Sequence, residues 1–178
     1  MDAYVYHEGQ GTKGGDNVAS MVILFLKQQG WLQDVIEGEE IAGRELTVIM
    51  DNCPGQNKNN TVIRIANLLV QVRYFHKVNM LFYIAGHTKN ACERWFNTLK
   101  SMYRLSDIWT MDQLFKILKT HERLIVHRIN EGDFKEYTAW LKFFYCNIKS
   151  GYSLKSHMFS VGAMFRSDSG KTMYILKT

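Results

Sequence analysis

Stretches of apolar residues alternate along the chain with polar connections that contain glycine. The runs LTVIM at residues 46–50 and VNMLFYIA at residues 78–85 are short and nearly continuous, which is typical of strands buried on both faces. Between these runs, apolar residues recur at helical spacing. The pattern predicts strands at residues 4–7, 46–50 and 78–85 and helices at residues 16–29, 59–74 and 91–103, with Asp16 as the first N-cap.

The remainder of the chain predicts two more helices and a final hairpin. Thr110 with Gln113, and Asp133 with Glu136, have the spacing of a capping box, so a helix is expected to begin at each pair. Alternating strands and helices up to about residue 104 indicate an α/β fold with parallel strand pairs. The hairpin is expected from strands at residues 158–165 and 172–176, joined by RSDSGK.

Aromatic residues at helical spacing have two interpretations. Trp95 and Phe96, and the aromatic residues within 134–145, are expected to pack in the core, although such rings also stack on nucleic-acid bases. His121 and His127 have no partners at metal-ligand spacing, so we interpret both as ordinary helix residues. Core packing is the interpretation that helical spacing favours.

Composition excludes several classes of protein. With 178 residues, 46% of them apolar, the chain has the length and composition of one globular domain. The longest apolar run, residues 18–26, is too short to span a bilayer, and the first residues have no basic segment of a signal peptide. We therefore expect no membrane partner. Three scattered cysteines without a CxxC pair indicate neither a disulfide framework nor a zinc site.

Charge is distributed unevenly along the chain. Residues 1–57 contain 3 basic and 9 acidic residues, whereas residues 58–178 contain 19 basic and 8 acidic ones. A basic segment with interleaved aromatic residues suits a polyanion such as nucleic acid, and it equally suits helices whose Lys and Arg residues only face water. Charge alone does not distinguish a nucleic-acid-binding segment from helices whose basic residues only face water.

Charged residues follow both internal strands of the predicted sheet. Asp51 comes directly after LTVIM, and His87 and Glu93 follow the next strand. Ligands of open α/β sheets bind at the carboxyl ends of the strands, so we expect these two loops to be neighbours. Carboxylates that converge from two elements are what Mg²⁺ binds, and two such ions would support phosphodiester chemistry.

The loop after Asp51 also suits a phosphate chain. It reads DNCPGQNKNN and precedes a helix, where main-chain N–H groups already favour anions. The expected phosphate-binding side chains in this loop are those of Asn52, Gln56, Asn57 and Lys58.

Three segments together resemble a known family. IMDNCPGQNKNN, the later GHTKNACERWFNTLK and the upstream YVYHEGQGTKGGDNVAS are similar to the signature of an uncharacterised eukaryotic family. Members of that family resemble transposon-derived integrase domains of the RNase H-like, DDE transposase type. The resemblance covers roughly residues 4–104 and implies a nucleic-acid-processing domain that uses Mg²⁺ or Mn²⁺.

The resemblance also implies roles for individual residues. Asp51 takes the place of the second catalytic carboxylate, and Glu93 takes the third, where the family usually has Asp. The first strands, with the first carboxylate, have no counterpart, so the sequence resembles an N-terminally truncated copy in which Glu8 is the nearest substitute. His87 joins this catalytic set. Outside the Asp51 loop, the expected nucleic-acid contacts are Lys89, Arg94 and Lys100.

The expected architecture is therefore an incomplete RNase H-like mixed sheet with flanking helices. Residues 1–125 form the RNase H-like part, and residues 126–178 add a helix and a hairpin to the same domain. The expected function is that of an inactive remnant of a Mg²⁺-dependent transposase or nuclease. The alternative is a non-catalytic module that binds DNA or RNA through the basic residues after position 57. Either function predicts an intracellular, nuclear protein.

Overall fold

The computed structural model describes residues 1–32, 44–83, 91–145 and 158–162. These residues form a mixed α/β protein with two small sheets. The chain divides into two compact units: the first comprises Met1–Thr12 and Gly86–Phe134, and the second comprises Lys13–Ala85 and Lys135–Thr178. The elements are β1 (Asp2–Val5), α1 (Gly15–Gln28), β2 (Glu45–Met50), α2 (Asn60–Gln71), β3 (Lys77–Phe82), α3 (Ala91–Tyr103), α4 (Met111–Leu118), β4 (Ile125–Arg128), α5 (Tyr137–Leu141) and β5 (Met158–Gly162).

The second unit contains the sheet predicted from LTVIM and VNMLFYIA. Its strand order is β2-β3-β5. β2 and β3 run parallel with Leu46 opposite Val78, and β5 pairs antiparallel with β3. The parallel pair is confirmed. Within the described residues β2 pairs with β3 alone.

Among the described residues, β2 and β3 have one face that is packed in the core. Leu46 and Met50 of β2 and Val78 and Met80 of β3 are buried against α1 and α2. The alternate residues of β2 face outward, and Ile49 is 53% exposed. The prediction of strands buried on both faces is therefore wrong for β2. Alternation with period 2 is the pattern of a sheet with one packed face, and the polar Thr47 already interrupts the apolar run.

Two helix ends follow local sequence signals, and one does not. Asn59 caps α2, because its Oδ1 accepts hydrogen bonds from the N–H groups of Thr61 and Val62 at 3.0 and 3.1 Å. Gly30 lies past the end of α1 with φ of 69°, a left-handed conformation that glycine adopts without strain. The N-cap of α1 is Gly14 rather than Asp16, which lies in the first turn of the helix.

The first unit has a sheet of its own. β1 pairs parallel with β4, with Tyr4 opposite His127. Buried Ala3, Leu118 and Leu124 form a small core against which Leu99 and Met102 of α3 pack. The expected strand at residues 4–7 is thus shifted to Asp2–Val5, and its partner is a segment that the sequence predicted to be helical.

Other predicted elements have mixed outcomes. α3 has the predicted bounds, and α4 begins with the Thr110–Gln113 capping box. The box expected at Asp133 is wrong, because Asp133 ends a 3₁₀ turn and accepts a hydrogen bond from the N–H of Asn130 at 2.8 Å. α5 begins at Tyr137. β5 confirms a strand in the first half of the predicted hairpin, while residues 172–176 lie outside the described part.

Within the described ranges, no helix has both the length and the apolar character needed to cross a membrane.

Candidate nucleic-acid interface

The loop after β2 is held by its own main chain. The carbonyl of Cys53 accepts hydrogen bonds from three successive N–H groups, those of residues 56, 57 and 58, at 3.2, 2.8 and 2.9 Å. Asp51 is exposed, and its Oδ1 accepts a hydrogen bond from the N–H of Asn52 at 2.8 Å. Asn57 donates its side-chain amide to the carbonyl of Asp51 at 3.1 Å. The loop is therefore a compact turn with one exposed carboxylate.

These contacts change the expectation for the phosphate-binding side chains. The amide of Asn57 already closes the turn, while Asn52 and Gln56 are half-buried. Lys58 is only 8% exposed, and its Nζ lies 5.5 Å from the centre of the Phe82 ring. Burial lowers the pKa of Lys58. Its ammonium is therefore less available to a phosphate than the sequence predicted.

The burial of Lys58 had a signal in the sequence. Position 58 comes directly before Asn59, the N-cap of α2. A side chain at this position often packs against the first turns of the helix, and the apolar start of α2 therefore favours a core-facing side chain at position 58. The lysine was interpreted from its charge and not from its position.

The predicted metal ligands belong to both units. Asp51 is in the second unit, whereas Glu93, half-buried in the first turn of α3, and the exposed Glu8 are in the first. His87 and Lys89 lie outside the described residues. Among the residues that are described, no three His, Cys, Asp or Glu side chains are grouped closely enough to hold a metal ion. The joint role of Asp51 and Glu93 in binding Mg²⁺ stays a prediction.

The first unit contains a groove that the sequence did not predict as a whole. Its volume is about 620 Å³. It lies between α3 and the turn that follows α4, and it is lined by Arg94, Trp95, Thr98, Thr120, His121, Glu122 and Arg123.

Two rings and two guanidinium groups line this groove. The Trp95 and His121 rings meet edge to face, with 5.4 Å between their centres and 67° between their planes. Both arginines are exposed. His121 Nδ1 accepts a hydrogen bond from the N–H of Arg123 at 3.2 Å, which leaves Nε2 as the donor of a neutral ring. Guanidinium groups beside aromatic rings are suited to phosphates and flat ring systems.

The structure of α3 and of the turn after α4 corrects two interpretations of the sequence. The sequence predicts His121 to be a helix residue, but it lies in a turn and lines the groove. Phe96 was expected in the core, but it is 63% exposed on α3. Trp95 is half-buried and contributes to the groove wall. Arg94 is the only predicted nucleic-acid contact among the lining residues. Lys100 is exposed further along α3.

A comparison with known protein families identifies the family to which the chain belongs. Residues 15–175 match a family described as a domain of unknown function, DUF7869, and the chain belongs to that family. The match extends well past residue 104, where the resemblance in the sequence ended. No curated protein matches the chain, and no solved structure does.

Proposed function

We propose that the chain is a nucleic-acid-binding module that contacts its ligand through the groove between α3 and the turn after α4. The observation that carries this proposal is the grouping of exposed Arg94 and Arg123 around the Trp95–His121 ring pair. Positive groups neutralise phosphates, and rings offer surfaces to bases. The excess of basic residues after position 57 adds a favourable field for a polyanion.

The proposal includes descent from a transposase of the RNase H-like, DDE type. The support is the pair of motifs in this sequence: DNCPGQNKNN follows β2, and GHTKNACERWFNTLK leads into α3. A DNA or RNA ligand and a nuclear location are part of the same proposal. Binding of Mg²⁺ or Mn²⁺ is part of this proposal only if Asp51 and Glu93 share a site.

We further propose that the module binds without cleaving. In the parent fold, the first carboxylate lies on the strand that neighbours the strand before the second carboxylate. Here β1, which precedes Glu8, pairs with β4 rather than with β2. The strand pairs of the described residues, β1 with β4 and β2 with β3, therefore do not supply Glu8 as a third ligand beside Asp51.

A salt titration tests the proposed function. Fluorescence anisotropy with labelled DNA and RNA is to be measured between about 50 and 200 mM salt, a range over which proteins with several phosphate contacts lose much of their affinity. Arg94→Gln should weaken binding and reduce the salt slope by about 1, as expected for one lost phosphate contact. Arg73→Gln, an exposed arginine of the second unit, is the matched control and should bind like the unmodified chain. Affinity that does not change with salt contradicts the proposal.

A further inference from the structure

The two rings in the groove of the first unit stand at an angle that suits a third flat ring. Trp95 and His121 are inclined by 67°, and both line the groove. A planar ligand that stacks on one ring therefore meets the other close to its own edge. Aromatic rings prefer offset-stacked and edge-to-face arrangements over a perfect face-to-face sandwich.

The polar groups around the rings divide into donors and acceptors. Thr98 and Thr120 donate their hydroxyl hydrogens to the carbonyls of Arg94 and Ile117, at 3.0 and 2.7 Å, so that each keeps oxygen lone pairs as acceptors. The donors are His121 Nε2 and the two guanidinium groups. The edge of a nucleobase carries both donors and acceptors, whereas a phosphate only accepts. A nucleotide site needs a ring surface for the base, hydrogen-bond donors and acceptors for the base edge, and cations for the phosphate.

Whether the groove binds paired or unpaired strands depends on how accessible the base is in each. In a duplex, neighbouring bases cover both faces of each base, and its pairing edge is occupied. An unpaired base exposes its faces and edges, and aromatic side chains stack on such bases. The groove volume of about 620 Å³ lies within the usual range for small-ligand sites.

Building on the proposed function, we infer that the groove holds one unpaired nucleotide of a single-stranded nucleic acid. The base lies against the Trp95–His121 pair, and Arg94 and Arg123 hold its phosphate. This assigns the class of ligand, namely an unpaired strand, and it makes Trp95 the principal contact to the base.

Four labelled 12-nucleotide ligands test this inference by anisotropy at one fixed salt concentration. They are a single DNA strand, the same sequence as RNA, the blunt DNA duplex and a DNA strand whose central residues are abasic. The unmodified chain should bind the intact single strand more tightly than the duplex or the abasic strand. The inference holds for either sugar, and the difference in affinity between the DNA and the RNA strand measures which sugar the groove prefers.

Three variants separate stacking from general loss of structure. Trp95→Leu should weaken single-strand binding by about 5- to 150-fold, the range for one lost base stack, and should no longer distinguish the intact from the abasic strand. Trp95→Phe keeps a ring and should recover most of the affinity. Trp109→Leu is the control, because Trp109 is 85% exposed and is not part of the groove wall. Thermal melting checks that each variant is folded.

The outcomes are distinguishable. If the unmodified chain binds nucleic acid but prefers the duplex, or if Trp95→Leu binds as tightly as Trp95→Phe, the inference is overturned while the proposed function stands. If the unmodified chain binds none of the four ligands, the proposed function itself fails and the inference with it.

Discussion

Thr138 donates both its main-chain N–H and its hydroxyl to the same oxygen of Asp16, Oδ1, at 2.6 and 2.7 Å. Because the hydroxyl hydrogen is used there, Thr61 must be the donor in the 2.6 Å contact between Thr61 Oγ1 and Thr138 Oγ1. These bonds join α1, α5 and α2 of the second unit. Hydrogen bonds to a carboxylate contribute more to stability than hydrogen bonds between two neutral groups.

Removing the Asp16 carboxylate should therefore destabilise the fold. We expect Asp16→Ala to lower the free energy of unfolding by about 2 kcal/mol, because two donors of Thr138 lose a charged acceptor. Urea denaturation followed by circular dichroism measures the change. Asp107→Ala removes an exposed carboxylate and should change stability by less than about 0.5 kcal/mol. Equal stability of the two variants would show that the Asp16 contacts contribute nothing.

Lys58→Met should leave nucleic-acid affinity unchanged and stability at pH 7 equal or higher. The ammonium is buried beside Phe82, and burial lowers the pKa of Lys58 from its ordinary 10.5. The unfolded chain therefore binds this proton more strongly, so this lysine's contribution to stability increases as pH rises through its folded pKa towards 10.5. Denaturation curves from pH 7 to 10.5 should show that increase in the unmodified chain and not in the variant. A loss of affinity as large as that of Arg94→Gln would instead place Lys58 at the phosphate.

Tyr145 should have the opposite pH dependence. Its hydroxyl donates to Gln71 Oε1 at 2.6 Å, and burial raises the pKa of Tyr145 above 10.0. The stability that this phenol contributes is present below pH 10 and is lost as pH rises through the folded pKa. Tyr145→Phe should lower the free energy of unfolding by about 1 kcal/mol near neutral pH, and it should reduce the loss of stability above pH 10. Tyr103→Phe, at a side chain that is 38% exposed, is the control and should change neither.

Much of this fold follows from local sequence signals. The predicted bounds of α3, residues 91–103, are confirmed, and Thr110 with Gln113 correctly predicted the start of α4. β4 was missed because Ile125–Arg128 is four residues long and becomes a strand by pairing with Asp2–Val5, more than a hundred residues away. Such pairing leaves no periodic signal in a short segment.

The groove was also not predictable from the sequence, and the reason is similar. Arg94 was identified from its charge, but Arg123 and His121 reach the same surface only because α3 packs on the core formed by Leu118 and Leu124. That packing joins segments about 25 residues apart. Conversely, the local motif after β2 was recognised correctly as a distinctive loop, but its side-chain contacts were not predictable from the motif.

The absence of strand cleavage is a separate prediction. Purified chain incubated with supercoiled plasmid and either Mg²⁺ or Mn²⁺ should produce no more nicked circles than Asp51→Asn does, because the strand pairs of the described residues supply no third carboxylate beside Asp51. Agarose electrophoresis quantifies the nicked form. Cleavage by the unmodified chain that disappears in Asp51→Asn would establish a complete catalytic site.

The location of the bound strand tests the central claim most directly. Nitrogen-15 labelled chain titrated with an unlabelled 12-nucleotide DNA strand, and with the same RNA strand, gives a chemical-shift change for each assigned amide. We expect the largest changes in the segments 94–98 and 120–123, which contain the residues that line the groove, and small changes in the loop at residues 51–58. The largest changes in that loop, with none around Arg94 and Arg123, would contradict the groove as the binding site.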